Sequence, residues 1–130
     1  MRRNNVRVTR LLNEAKKTSE QSNHQHQIGC IIVKGGNILS RGFNQVRYSK
    51  RGCSFTNYPE SLHAERAATR NLSREALRGS TVFVYRRGKE GSGRNAKPCR
   101  FCEDLLRFVG IKTCYYSDET SPTGYSKIKI

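Results

Sequence analysis

The chain has 130 residues and a formal net charge of +15, with 25 Lys and Arg against 10 Asp and Glu. This length suits one domain over residues 1–130 with a single core, and the charge indicates a phosphate-bearing partner while saying nothing about the fold. No apolar run approaches the ~20 residues of a membrane span, and the first residues lack the apolar stretch of a signal peptide, so we expect a cytoplasmic protein.

The first part of the chain predicts a helix, a β-hairpin and a long loop. Apolar residues at helical spacing predict the helix over 5–20. A run rich in β-branched residues at 27–36 ends in a Gly-Gly-Asn turn signal, and 38–44 follows it, so these two segments should pair as a hairpin. Residues 45–60 have no apolar periodicity and predict a loop.

The second part of the chain predicts two more helices and three strands. One helix should follow Pro59 with Ser61 as its N-cap, and the other should begin at Pro98 and end at Gly110. Val, Phe and Tyr residues mark the strands, which are separated by a basic loop: strand 80–86, loop 87–97, and strands 111–117 and 125–130.

This α-β-β-α-β-α-β-β order predicts an α/β domain with one mixed sheet of about five strands covered by helices. The connection between the last two strands is short, because only residues 118–124 separate them. A parallel crossover takes a dozen or more residues, so the last two strands should pair antiparallel.

Two short motifs at predicted helix starts carry the chemistry. His63 and Glu65 lie two residues apart, and Cys99 and Cys102 form a Cys-x-x-Cys that places two thiols on one side of a first helical turn. In a reducing compartment the odd count of five cysteines favours thiols or metal ligands over disulfides. A catalytic zinc takes three protein ligands and leaves a position for water. His63, Cys99 and Cys102 make three, and Glu65 is then suited to move protons.

Residues 63–65 (His-Ala-Glu) together with residues 98–102 (Pro-Cys-Arg-Phe-Cys) resemble the H-x-E…P-C-x-x-C signature of zinc nucleobase deaminases. The chain thus resembles the cytidine-deaminase-like superfamily over nearly its full length, and in pattern it is nearest to small phage and bacterial toxin-like cytosine deaminases. The resemblance implies the α/β/α sandwich of that superfamily.

The resemblance also implies a role for each residue. Three residues would ligate Zn²⁺: His63, Cys99 and Cys102. Glu65 would activate the water, protonate the ring nitrogen and deliver a proton to departing ammonia. The backbone N–H of Ala64 would line the base pocket. Asn44 matches the asparagine that contacts the sugar or base in this superfamily, although an asparagine at a strand end is also a common turn residue.

The resemblance bears on the substrate, because superfamily members with different substrates connect their last two strands differently. Members that act on tRNA adenosine, on deoxycytidylate or in vertebrate DNA editing place a helix between the last two strands, whereas free-cytidine deaminases and several toxin-like DNA deaminases close with a hairpin. Cytosine is therefore favoured. The free-cytidine branch generally has cysteine at position 63 and a glutamate two residues after the asparagine, but this chain has His63 and Val46 there, which argues against a nucleoside specialist.

Basic and aromatic side chains in the two loops that precede the motifs favour a nucleic-acid substrate. The candidate contacts are Arg47, Arg51 and Arg94 for phosphates and Phe55 and Tyr58 for stacked bases. Because a base within a duplex must be flipped out, we expect deamination of cytosine to uracil in single-stranded DNA, favoured over RNA.

Two other readings stay open from the sequence. The first is a deaminase of a free cytosine nucleotide, dCMP or CMP, which needs only two or three of the cations. The second is a non-catalytic nucleic-acid-binding protein whose structural zinc takes a fourth ligand from Cys53, His24 or His26. Cys30 and Cys114 lie in apolar strands and are expected to be core residues.

Overall fold

The computed structural model describes residues 2–47 and 60–130. These residues form four helices and eight strands. In chain order they are α1 (Arg2–Ser19), β1 (Gln27–Lys34), β2 (Asn37–Phe43), β3 (Gln45–Arg47), β4 (Glu60–Leu62), α2 (Ala64–Thr69), α3 (Arg74–Leu77), β5 (Thr81–Arg87), β6 (Gly93–Arg94), α4 (Arg100–Val109), β7 (Thr113–Ser117) and β8 (Tyr125–Lys129).

The main sheet is mixed, as the sequence predicts. Its strand order is β2-β1-β5-β7-β8, and the two-residue β6 pairs with β5 beside this path. The β5 and β7 strands run parallel, because helix α4 connects them. The β7 and β8 strands pair antiparallel from Thr113 opposite Lys129 to Ser117 opposite Tyr125, so the prediction from the short connection is confirmed.

Helices cover both faces of this sheet, and the alternation of side chains along the central strands sorts the core into two layers. On β1, Ile31 and Val33 face helix α1, together with Phe83 of β5. Cys30 and Ile32 point to the other face, which α2 and α4 cover. The fold is therefore the expected α/β/α sandwich, and Cys30 and Cys114 are fully buried core residues.

The structure differs from the sequence prediction before the second helix. Two short strands stand at the ends of the predicted loop 45–60. These strands, β3 and β4, pair antiparallel with Val46 opposite Ser61. Ser61 is consequently part of a strand and is not an N-cap; His63 occupies that position. The helix that follows stops at Thr69, and Ser73 caps a separate short helix, α3, through the backbone N–H of Ala76.

The end of α4 agrees with the sequence prediction. Gly110 terminates the helix in a left-handed conformation with φ 91°, which glycine adopts without steric cost. Among the helices of residues 2–47 and 60–130, none is long and apolar enough to cross a membrane.

Candidate metal centre

Two helix starts meet on the α2 and α4 face of the sheet. His63 is the N-cap of α2 and Cys99 is the N-cap of α4, and both have extended backbone conformations. In the described part of the chain, neither side chain hydrogen-bonds the backbone of its own helix. Both are therefore available to a ligand, and the helix ends favour negative charge on a thiolate.

Close backbone packing fixes where α2 begins. A side chain at Gly42 of β2 would collide with the backbone of Ala64 and Ala68, so only glycine lets the helix lie this near the strand. The position of His63 and Glu65 over the sheet is thus set by main-chain contact, which tolerates little movement.

The ligand atoms of His63, Cys99 and Cys102 lie within 4.8 Å of one another. His63 Nδ1 is 3.2 Å from Cys102 Sγ and 3.9 Å from Cys99 Sγ. A nitrogen and a sulfur bound to one zinc ion at a tetrahedral angle lie about 3.6 Å apart, and the two observed distances fall on either side of this value. One imidazole and two thiols are ligands typical of zinc, so the donor set fits Zn²⁺ in chemistry and in spacing.

The number of ligands is that of a catalytic zinc. Across residues 2–47 and 60–130, these three side chains are the group that could hold a metal, and three protein ligands leave one position open. Of the alternatives proposed for a fourth ligand, His24 and His26 line the neighbouring cavity, and Cys53 lies outside the described residues.

Glu65 lies in the first turn of α2 and is only 5% exposed. Burial raises the pKa of its carboxyl above the usual range, although a hydrogen bond with Cys102 opposes this shift. A buried carboxyl with a raised pKa is suited both to accept and to return a proton. Burial, followed by the charge of Glu65, also raises the pKa of the Cys102 thiol.

A cavity of about 280 Å³ opens beside these residues. Its buried lining includes Ala64, Glu65 and Ala96, whereas His26 and Lys97 on its lining are exposed. The cavity therefore runs from a buried end, where the carboxyl of Glu65 lies near the exposed candidate ligand His63, to a positively charged mouth. Its volume lies near the lower limit of ~300–1,000 Å³ that small-molecule sites occupy.

Asn44 also lines this cavity and is only 4% exposed. Its Oδ1 accepts hydrogen bonds from Ser22 Oγ at 2.6 Å and from the backbone N–H of Ile28 at 2.9 Å, and its Nδ2 donates to the carbonyl of His26. Three of the four hydrogen-bonding positions of the amide are thereby used. Asn44 holds the segment before β1 in place, and one amide hydrogen is left for a ligand.

The other predicted substrate contacts have different outcomes. Ala64 lines the cavity. Arg94 lines an adjoining cavity instead and forms an ion pair with Glu119 at 3.1 Å. Arg51, Phe55 and Tyr58 lie outside the described residues, as does the side chain of Arg47.

Two residues at the mouth were not among the predicted substrate contacts. Arg86 Nη2 lies 3.1 Å from His26 Nδ1, and both residues line the cavity. A signal for Arg86 was present in the sequence, since it follows Val82 and Val84 at a spacing of two and so shares their face of β5. His26 is separated from Arg86 by 60 residues, and local pattern carries no information about that contact.

Known proteins match the chain in both sequence and structure. The family model for the cytidine and deoxycytidylate deaminase zinc-binding region matches residues 2–118. A deoxycytidylate deaminase of Mycobacterium phage D29 is 25% identical over 112 positions, covering 72% of this chain and 80% of the relative.

Two solved structures resemble the fold. The dCMP deaminase of cyanophage S-TIM5, determined with dCMP and dUMP, is 27% identical with a TM-score of 0.64, covering 88% of this chain and 83% of that one. A cytidine deaminase of Burkholderia pseudomallei has a TM-score of 0.65 at 16% identity, covering 93% of this chain and 91% of that one, and this likeness shows the fold alone.

Proposed function

Because the chain belongs to the family defined by the cytidine and deoxycytidylate deaminase zinc-binding region, we propose that it deaminates the cytosine of a free nucleotide, dCMP, to uracil. The observation that carries this proposal is the meeting of His63, Cys99 and Cys102 beside the buried Glu65. The nucleotide is supported by the phage relatives, both named for deoxycytidylate, and by the cations at the mouth of the cavity.

The reaction replaces the exocyclic amine at C4 of cytosine with oxygen from water and releases ammonia. Zinc held by His63, Cys99 and Cys102 would supply the activation of that water. Glu65 carries both protons of the water in turn: it passes the first to the ring nitrogen and the second to the amine, which leaves as ammonia, and it ends as the carboxylate it began as. The raised pKa of Glu65 suits both the accepting and the donating step.

The substrate would lie with its cytosine at the buried end of the cavity and its phosphate at the mouth. Asn44 has one amide hydrogen available for the base or sugar. Arg86 and His26 adjoin at the exposed end, where a guanidinium can bind a phosphate through two parallel hydrogen bonds. Together these contacts would distinguish dCMP from cytidine, which lacks the phosphate.

Single-stranded DNA is the second candidate substrate. The observation that favours it is the net charge of +15, since a mononucleotide engages only a few cations. Four side chains predicted to contact the DNA strand lie outside the described part of the structure: those of Arg47, Arg51, Phe55 and Tyr58. The relatives named for dCMP make the nucleotide the first choice.

The test compares three substrates on the zinc-loaded protein. dCMP, cytidine and a cytosine-containing single-stranded oligonucleotide are incubated separately, and uracil is scored by mass spectrometry. We expect conversion of dCMP and little conversion of cytidine. Conversion of the oligonucleotide alone would overturn the nucleotide in favour of DNA. Failure to convert all three, with zinc bound, would overturn the deaminase proposal.

Two variants make this test specific to the site. Glu65→Gln should lower the rate by about 10²–10⁴-fold while zinc stays bound, because it removes the proton carrier and keeps the shape. Glu75→Gln, at an exposed position of α3, is the matched control and should retain full activity.

A further inference from the structure

A second and larger cavity adjoins the base pocket. It measures about 500 Å³, against about 280 Å³ for the pocket beside the metal centre. His26, Arg86 and Asn95 line both cavities, so the mouth of the first opens onto the second. A mononucleotide with its phosphate at Arg86 leaves this adjoining cavity unused.

The adjoining cavity is strongly basic. Its lining has four cationic residues against one acid, Glu119, which is paired with Arg94 at 3.1 Å. The four are Arg86, Arg87, Lys89 and Arg94. The charge that remains after this ion pair is positive, which suits an anionic ligand.

The pairing of β5 with β6 brings two of these cations together. Arg86 and Arg94 are directly opposite each other, where like charges destabilise a strand pair unless a counter-charge is present. Glu119 supplies such a charge to Arg94, and an anion bound beside Arg86 would supply a second one.

We infer that this adjoining cavity binds a second phosphate, which dCMP lacks, on a larger cytosine-containing ligand whose first phosphate lies at Arg86. The inference rests on the proposed function, because the metal centre fixes where the cytosine lies. The second phosphate has two possible sources: the polyphosphate chain of a cytidine triphosphate, or the phosphate of the next nucleotide in a strand. Arginine guanidinium groups suit either one, since both present the same oxygen geometry.

The experiment measures binding by calorimetry on zinc-loaded protein with the Glu65→Gln substitution, which prevents turnover. The ligands are dCMP, dCTP and the 5′-phosphorylated dinucleotide d(pCpA), all at one salt concentration. We expect dCTP, d(pCpA) or both to bind about tenfold more tightly than dCMP, as a charge-assisted contact would provide. Tighter binding of dCTP alone identifies the polyphosphate, and tighter binding of d(pCpA) alone identifies the strand.

Variants of the adjoining cavity locate the effect. Arg87→Gln and Lys89→Ala should each remove most of the tenfold advantage and leave the affinity for dCMP within about twofold. Lys127→Ala is the matched control, since this exposed lysine lies on β8, two strands away from β5, and its removal should preserve the advantage.

Different outcomes would overturn the second-phosphate site and the proposed function. Equal affinities for dCMP, dCTP and d(pCpA), or an advantage that survives both cavity variants, would overturn the second-phosphate site while dCMP deamination stood. If dCMP were neither bound nor deaminated, the proposed function would fall. Binding of inorganic tripolyphosphate that is lost in Lys89→Ala would then still support the cavity as an anion site.

Discussion

The metal centre and the basic cavity next to it are constructed in opposite ways. At the metal centre, the four side chains stand at the starts of α2 and α4, where Cys102 and Glu65 are buried and His63 and Cys99 are exposed, and main-chain packing on Gly42 holds α2 against the sheet. In the adjoining cavity, Lys89 and Arg94 are exposed side chains on a loop and a two-residue strand. Loss of one group should therefore abolish function at the first site and only reduce affinity at the second.

The largest effect is expected at a zinc ligand. Cys102→Ser should remove most of the bound zinc and with it the activity, because one of the three ligands is lost. Cys114→Ala is matched in burial, since both residues are at most 1% exposed, but Cys114 lies in the core of β7. Metal analysis should find one zinc per chain in Cys114→Ala despite a lower stability. Equal zinc loss in both variants would contradict the assigned ligands.

A smaller effect is expected where the two cavities meet. Arg86→Ala should raise the KM for dCMP about tenfold and change kcat little, because the proposed complex places Arg86 on the phosphate, away from the reacting carbon. Steady-state kinetics measures the split, with Arg70→Ala, an exposed arginine at the end of α2, as the control. A fall in kcat as large as that of Glu65→Gln would contradict this prediction, because Arg86 would then act on the chemical step as strongly as the metal centre does.

The smallest effect is expected at the connection that supports the cavity. Hydrogen bonds from Thr120 and then from Ser126 lower the pKa of Asp118, whose turn precedes Glu119. A lowered pKa in the folded state stabilises the fold above the unfolded value of about 3.9, and this contribution is lost as pH falls through the folded value. Asp118→Asn should accordingly lower the Tm by a few degrees at neutral pH.

Thermal unfolding at several pH values checks this prediction. The difference between Asp118→Asn and the unsubstituted chain should narrow as the pH falls below the unfolded pKa and should close once the carboxyl is protonated in both states. Zinc content should be unaffected, because the hydrogen bonds of the Asp118 side chain go to Thr120 and Ser126 and reach neither α2 nor α4. A gap that persists in acid would mean that the carboxylate charge is not the stabilising feature.

The two regions also differ in how far the sequence predicts them. The metal centre depends on short motifs at helix starts, so the meeting of His63, Cys99 and Cys102 in one place could be predicted from spacing and from resemblance, while their roles and that of Glu65 stay predictions. The antiparallel last strands could be predicted from the length of their connection. The hairpin does not decide the substrate, since the two phage relatives are named for deoxycytidylate, which the sequence prediction had placed in the branch with a helix between the last strands.

The cavity side depends on contacts between distant parts of the chain. Arg86 meets His26 across 60 residues, and Ser22 meets Asn44 across 22. The β3 and β4 strands are three residues each, too short for a periodic pattern to be visible, which is why Ser61 was mistaken for an N-cap. Such pairings are fixed by packing of the whole fold and leave little trace in local sequence.

One measurement tests the central claim most directly. Zinc-loaded protein is incubated with dCMP in water enriched in heavy oxygen, and the mass of the recovered nucleotide is determined. Hydrolysis at the site of Glu65 and the three zinc ligands predicts dUMP that carries one heavy oxygen atom on the base, because solvent oxygen replaces the exocyclic amine. Unaltered dCMP, recovered from protein that holds one zinc per chain, would contradict it.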